Sequence, residues 1–168
     1  MYYSGIGSRN IPENIESLFI SLGKFLEHHD FILRSGGARG ADTAFETSVD
    51  SNHKEIYLPW ERFNNNLSPL FNICDQALVM AEKFHPKWKN LNDKSKKFHA
   101  RNCYQVLGGD LTEPSEFVLC WTPNGDGSGG TGQAIRIANA YNIPVFDFGQ
   151  INTPQVFKDH LQLFYDFD

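Results

Sequence analysis

Residues 35–42 have the composition of an anion-binding loop. They read S-G-G-A-R-G-A-D, follow a short apolar segment, and lead into a helix-forming run that starts at about Ala38. The N-terminus of a helix carries free backbone N–H groups and a partial positive charge. Gly36 and Gly37 have no Cβ to keep an anion away from those groups, and Arg39 adds a planar set of donors. The pattern predicts a cradle for a phosphate or a carboxylate. The alternative is a glycine-rich turn that binds nothing.

Two further loops have a similar composition. Residues 5–9 read G-I-G-S-R near the start of the chain, and residues 122–132 read T-P-N-G-D-G-S-G-G-T-G. The first is an incomplete dinucleotide-binding fingerprint, because Asn10 occupies the place of the third glycine of G-x-G-x-x-G. The second runs directly into a predicted helix, so it is a second candidate phosphate cradle.

The elements that must position these loops alternate between short apolar strands and amphipathic helices. This alternation predicts an α/β fold, a Rossmann-like three-layer sandwich with a mostly parallel sheet and helices on both faces. Ligands of such sheets bind outside the carboxyl ends of the strands, where the strand order reverses. The three loops follow predicted strands, so we expect them to open on one crevice. Predicted strands are at 2–4, 31–33, 54–59, 116–121 and 143–147, and predicted helices at 12–28, 38–50, 68–84, 93–106, 133–141 and 153–163.

The chain of 168 residues is long enough for one core, and we expect a single domain with a helical insertion at about 67–108. That insertion carries His99 and Asn102, which are three residues apart and share a helix face, whereas Arg101 is expected to point elsewhere. The helix is either a surface helix or a donor of polar groups to a ligand. Asn10 is expected to cap the first helix and Asp93 to cap the helix that carries His99.

Composition restricts the partners. The formal charge is −5, and the one basic cluster is Lys94, Lys96 and Lys97, so nucleic acid is an unlikely partner. The three cysteines have no metal-ligand or disulfide spacing and are expected in the core, so no metal site is predicted. No signal segment or membrane-length apolar run occurs, which predicts a soluble cytoplasmic protein without membrane contact.

Aromatic and amide side chains at the strand ends could recognise a base. Trp60 and Asn64 follow the third predicted strand, and Trp121 ends the fourth. A tryptophan ring can stack on a base and an asparagine can read a base edge, although each tryptophan could equally cover the core.

The motifs at residues 5–9, 35–42 and 129–132 resemble those of the SLOG superfamily of Rossmann-like proteins. Its members include the DprA/Smf DNA-processing proteins and the LOG nucleotide phosphoribohydrolases. Residues 35–42 are closest to the DprA/Smf pattern S-G-x-A-x-G-I-D, with Ala41 in place of isoleucine, and residues 129–132 resemble the LOG motif G-G-x-G-T. The likeness follows the order of elements along nearly the whole chain.

The departures from these patterns bear on activity. Arg136 stands where the LOG motif P-G-G-x-G-T-x-x-E has its acid, and Gln133 stands where that motif has threonine. Asp42, Asp126 or Glu46 could replace the missing acid, but none is paired with a second acid or a nucleophile. We therefore predict no catalytic residues, and a LOG-like nucleotide phosphoribohydrolase remains an alternative.

The first hypothesis is a protein that binds, and could sequester, a nucleotide-derived small molecule such as an ADP-ribose-type or cyclic nucleotide signal, with no required cofactor. Small SLOG-like proteins occur in phage genomes, so the resemblance extends this hypothesis to capture of a defence signal in the host-cell cytoplasm. The resemblance also implies a homo-oligomer, and DprA-like binding of single-stranded DNA ranks as the last alternative. The candidate ligand-binding residues are Gly7, Ser8, Arg9, Ser35, Gly36, Gly37, Arg39, Gly40, Asp42, Trp60, Asn64, His99, Arg101, Asn102, Trp121, Thr122, Gly129, Gly130, Thr131, Gly132 and Gln133.

Overall fold

The computed structural model describes residues 1–167 and has one parallel sheet flanked by helices. The strands are β1 (Tyr2–Gly5), β2 (Ile32–Ser35), β3 (Lys54–Ile56), β4 (Phe117–Cys120) and β5 (Val145–Asp147). The helices are α1 (Glu13–His28), α2 (Ala41–Glu46), α3 (Asp75–Phe84), α4 (Asp93–Leu107), α5 (Thr131–Ala140) and α6 (Thr153–Tyr165).

The sheet has the order β3-β2-β1-β4-β5, and every neighbouring pair is parallel. The chain runs outward from β1 to β3 and then returns to place β4 beside β1. The strand order therefore reverses between β1 and β4. Tyr3 pairs with Leu33 on one side and with Phe117 on the other, and all three side chains are buried. These apolar strands are typical of a parallel sheet covered on both faces, and the predicted α/β fold is confirmed.

Each face of the sheet has its own helical layer. Helices α1, α2 and α6 cover one face, where the rings of Phe19 and Phe45 stack with centroids 4.3 Å apart and Phe157 packs nearby. Helices α3, α4 and α5 cover the other face, with buried Cys103 and Ile137 in their core. The second half of α4 is buried at every position from Ala100 to Leu107, so a surface helix is wrong for that half.

Several predicted boundaries are wrong for local reasons. Helix α2 begins at Ala41 rather than at residue 38, because Gly37 and Gly40 have φ angles of +65° and +80° outside the helical region. Helix α3 begins at Asp75 rather than at residue 68, because residues 68–70 pair with the chain after β3. There, the Leu58 amide donates to the Leu70 carbonyl at 2.8 Å.

Two predicted helix caps are also wrong, as is one cysteine environment. Pro12 precedes α1 with no side-chain cap, so Asn10 does not have that role. Asn92 rather than Asp93 caps α4, and its side chain accepts a hydrogen bond from the Ser95 amide at 2.9 Å. Cys74 is exposed, whereas Cys103 and Cys120 are buried as expected.

Residues 1–167 contain neither a membrane-spanning helix nor a clustered metal-ligand set. None of the helices there combines the length and apolar character needed to cross a bilayer. The same residues contain no group of three histidine, cysteine or acidic side chains arranged to hold a metal ion.

Candidate ligand-binding site

A cavity of about 590 Å³ lies at the carboxyl ends of β1 and β4. This is where the strand order reverses, the usual place for a ligand in an open parallel sheet. Its volume is within the range of roughly 300–1,000 Å³ that is usual for small-molecule sites. The wall residues come from the loops after β1, β2 and β4 and from α2, α4 and α5: Ile6, Gly7, Ser8, Arg9, Asn10, Ala38, Asp42, Ser95, Phe98, His99, Arg101, Asn102, Gln105, Pro123, Ser128, Gly129, Gly130, Thr131 and Ala134.

The N-terminus of α5 forms one side of this cavity. Gly130 immediately precedes the helix, and a Cβ added at Gly129 or Gly130 would meet no atom within 4 Å. The side-chain amide of Asn102 donates to the Gly130 carbonyl at 3.0 Å and so ties the turn to α4. The first backbone N–H groups of α5 thus stand beside an open turn, in the arrangement that binds anions in many proteins.

A buried hydrogen-bond network fixes the loop that leads into this turn. The Thr122 hydroxyl donates to the Asp147 carboxylate and accepts from the Gly127 amide, the latter at 2.9 Å. The Thr122 amide donates to the same carboxylate at 2.9 Å. Thr122 therefore positions the loop from beneath and is not on the cavity wall.

Arg101 brings a buried guanidinium group to the cavity. Only 5% of the residue is exposed; its Nη1 donates to the Gly36 carbonyl and lies 3.7 Å from Asp42 Oδ2. Its Nε has no hydrogen-bond partner among residues 1–167. Burial lowers the pKa of Arg101, the Asp42 charge opposes this change, and the Arg9 charge lowers the pKa further. A buried donor without a partner is costly, which makes the Arg101 guanidinium group a candidate to bind a ligand in this cavity.

Asp42 is the one acidic side chain on the cavity wall within residues 1–167. It is 3% exposed and accepts a hydrogen bond from the Ala38 amide at 3.3 Å. Burial raises the pKa of this carboxyl group to about 6, against the opposing effects of Arg101 and of the Ala38 hydrogen bond.

His99 lines the cavity as a neutral ring. Burial, followed by the nearby His85, lowers the pKa of His99 to about 4, and the two ring centroids are 4.2 Å apart. Its Nδ1 has no hydrogen-bond partner in the described part of the chain. At neutral pH, His99 can therefore donate or accept a hydrogen bond but adds no positive charge.

Phe98 is a wall residue that the sequence analysis missed. The guanidinium carbons of Arg9 and Arg101 lie 5.4 and 5.8 Å from the centroid of its ring. Trp60 and Phe63 contact the same ring edge-on, with centroids 5.0 and 5.2 Å away. Helical periodicity could have identified Phe98 as a wall residue. Residues spaced by three and four positions share one face of a helix, and this spacing places Phe98 with three other wall residues of α4: Ser95, Asn102 and Gln105.

The glycines of residues 35–42 permit close packing. A Cβ at Gly36 would clash with the Arg101 guanidinium, and one at Gly40 would clash with the carbonyl oxygens of Ser8 and Arg9. The Gly37 carbonyl accepts from the Asn64 side chain at 3.2 Å, beside a second cavity. The structure thus gives these glycines a packing role, and anion binding by this loop stays a prediction.

The predicted site residues divide into two groups. The cavity wall contains Gly7, Ser8, Arg9, Asp42, His99, Arg101, Asn102, Gly129, Gly130 and Thr131. Off this wall lie Ser35, Gly36, Gly37, Arg39, Gly40, Trp60, Asn64, Trp121, Thr122, Gly132 and Gln133. Arg101 shares the cavity with His99 and Asn102, so the expectation that it points elsewhere is wrong. Ligand binding by each of these residues stays a prediction.

A comparison with solved structures matches this architecture. No protein-family model matches the chain, and no curated protein was found to match it. Among solved structures, the chain is similar to DNA processing protein A from Helicobacter pylori, with a TM-score of 0.60 and 18% identity. The two proteins share a fold. The match covers 95% of this chain and 73% of that chain, whose structure was described for its single-stranded DNA binding mode. At this identity, the likeness shows a DprA-like Rossmann fold alone.

Proposed function

We propose that this protein binds a nucleotide-derived small molecule, whose phosphate lies between Arg101 and the N-terminus of α5. The observation that carries this proposal is the buried guanidinium group of Arg101, whose Nε has no hydrogen-bond partner among residues 1–167, on the wall of a cavity that the start of α5 also lines. A phosphate oxygen would accept from the Arg101 guanidinium group, and the backbone N–H groups of α5 would bind other oxygens of the same phosphate.

The charges on the wall favour an anion at this end of the cavity. Arg9 and Arg101 lie near one aromatic ring, and because like charges repel, the Arg9 charge contributes to the lowered pKa of Arg101. A phosphate near both would relieve this repulsion. His99 is neutral at pH 7, so the two guanidinium groups and the α5 dipole supply the positive potential.

Binding without turnover is the form of this function that the wall residues favour. Asp42 is the single carboxyl group on the wall within residues 1–167, so the cavity offers no pair of acids for glycosidic-bond cleavage. Arg136, at the position of the LOG acid, donates to the Phe84 carbonyl at 2.8 Å and joins α5 to the end of α3. Such a site would sequester a signalling nucleotide by binding it without turnover. The same holds whether or not the protein is encoded by a phage.

Binding of single-stranded DNA is the second candidate. Its support is the shared fold with a protein described as a single-stranded DNA binder, together with the cluster of Trp60, Phe63 and Phe98 beside Arg9. Aromatic rings interleaved with cations are typical of single-strand binding sites. The formal charge of −5 opposes this candidate, because strand binding requires several phosphates to be neutralised together.

The test uses Gly130→Asp with Gly130→Asn as its matched control. An added side chain at this position meets no atom within 4 Å, and the backbone already has helical φ and ψ angles of −64° and −30°. Both variants should fold, because asparagine and aspartate are both favoured at the start of a helix. Thermal shifts would be measured with AMP, ADP-ribose, NAD and cyclic nucleotides.

We expect at least one of these nucleotides to stabilise the wild-type protein. A ligand at a hundred times its dissociation constant adds about 2.7 kcal/mol, or about 5–11 °C for a domain of this size. The shift should disappear in Gly130→Asp, where the added negative charge repels the phosphate, and remain larger in Gly130→Asn, whose side chain is uncharged. An undiminished shift in Gly130→Asp would refute the phosphate position. Absence of any wild-type shift would refute nucleotide binding.

A further inference from the structure

We infer that Asp42 makes this cavity selective for ribonucleotides, by accepting hydrogen bonds from the sugar hydroxyl groups next to the bound phosphate. This inference rests on the proposed function and names the chemical class of the ligand. The buried carboxyl group would thus distinguish ribose from deoxyribose, which the phosphate contacts cannot do.

The carboxyl group of Asp42 has acceptor capacity to spare. It lies on the cavity wall, where the Ala38 amide donates to Oδ2 at 3.3 Å and Arg101 Nη1 lies 3.7 Å from the same oxygen. An ionised carboxylate has about four acceptor sites and no donor. A ligand group that meets Asp42 must therefore bring hydrogen-bond donors of its own.

Charge excludes the phosphate from this part of the cavity. An anionic oxygen beside a buried carboxylate would be repelled in surroundings of low dielectric constant, whereas a neutral hydroxyl group would not. The phosphate is thus directed toward Arg9 and the start of α5, and the neutral part of the ligand toward Asp42. Both walls belong to one cavity, so a single molecule can meet them together.

Proximity to Arg101 identifies that neutral part as the sugar. Asp42 contacts the guanidinium group that is proposed to hold the phosphate, with only 3.7 Å between the two side chains. In a nucleotide, the sugar directly adjoins the phosphate and the base lies beyond it. The donors of a ribose are its 2′- and 3′-hydroxyl groups, and an acidic side chain is a common partner for the 2′-hydroxyl.

Matched pairs of nucleotides test this inference on the wild-type protein. Calorimetric titrations at pH 7.5 would compare AMP with dAMP, GMP with dGMP, CMP with dCMP and UMP with dUMP, so that each pair differs only at the 2′ position. We expect the ribonucleotide to bind at least tenfold more tightly within any pair that binds, because the deoxynucleotide leaves an acceptor of Asp42 unpaired.

The outcomes separate the two proposals. Equal affinities within the pairs would overturn ribose selection but leave nucleotide binding intact. A preference that follows the exocyclic amino group, such as CMP over UMP, without a 2′ effect would overturn it in favour of base recognition. No binding by any member would overturn this inference, and it would overturn the proposed function as well if ADP-ribose, NAD and the cyclic nucleotides also give no thermal shift.

Two substitutions then assign the selectivity to this side chain. Asp42→Asn retains one carbonyl acceptor, and Asp42→Ala retains none. The ratio of ribonucleotide to deoxynucleotide affinity should fall in the order wild type, Asp42→Asn, Asp42→Ala. An unchanged ratio in folded Asp42→Ala would refute the assignment. If either variant fails to fold by circular dichroism, the wild-type pairs alone decide.

Discussion

Replacing Asp42 with asparagine should change how the stability of the protein depends on pH. The folded protein raises the pKa of this carboxyl group from 3.8 to about 6, chiefly by burial. The folded state therefore keeps the proton over a pH range in which the unfolded chain has lost it. Stability from this group is greatest below pH 4 and decreases as the pH rises toward 6 and above.

The magnitude follows from the size of the shift. Two pKa units correspond to about 3 kcal/mol, of which about 2 kcal/mol should be lost between pH 4.5 and pH 7.5. Asparagine does not titrate, so Asp42→Asn lacks this loss. The free energy of unfolding of the variant, minus that of wild type, should therefore increase by about 2 kcal/mol over the same range.

Urea denaturation at several pH values measures this difference directly. Carboxylates elsewhere, and His99 with its pKa lowered to about 4, titrate in both proteins and cancel in the difference. The substitution also leaves Arg101 without its neighbour. This loss changes the free energy of unfolding by the same amount at every pH, so it shifts the plot of the difference against pH without changing its slope. Parallel stability curves for the two proteins would refute the reasoning, and so would a difference that decreases with pH.

Two further substitutions test the packing around the cavity. Gly40→Ala should destabilise the protein by about 3 kcal/mol or more in urea melts, because its φ is +80° and a Cβ would clash with the loop after β1. Gly129→Ala is its control, with φ of +69° but an open surrounding, and should cost only about 1 kcal/mol. Thr122→Val should cost about 1–3 kcal/mol, because Asp147 and the Gly127 amide each lose a hydrogen-bond partner. Thr122→Ser keeps the hydroxyl and should recover most of that loss, and equal stability of the Val and Ser variants would contradict this role.

The fold could be predicted from the sequence because its signals are local. Apolar runs of four to six residues between amphipathic helices indicate a parallel sheet, and each run can be recognised without knowledge of the rest of the chain. The loops after β1 and β4 meet at one cavity because parallel strands end at the same edge of the sheet. That part of the site follows from topology.

The rest of the site depends on tertiary packing that no local pattern reveals. Gly36 and Gly37 have the composition of an anion cradle, but the Arg101 side chain from α4, 65 residues further along, occupies the space beside Gly36. The place of Arg101 could not be predicted either, because every position from Ala100 to Leu107 is buried and the periodic face of α4 that carries Phe98 and Asn102 does not include Arg101. Asp42 resembles an ordinary first-turn residue until α4 packs against it.

A calorimetric titration of the wild-type protein with AMP, ADP-ribose and a ten-residue oligothymidylate, each at 50 and 200 mM salt, tests the central claim most directly. We predict that a nucleotide binds at one site per chain with weak salt dependence, because the ligand meets two cations and one helix terminus. The oligonucleotide should bind weakly or not at all. Tight oligonucleotide binding that decreases steeply with salt, with no heat from either nucleotide, would contradict the account and establish the second candidate.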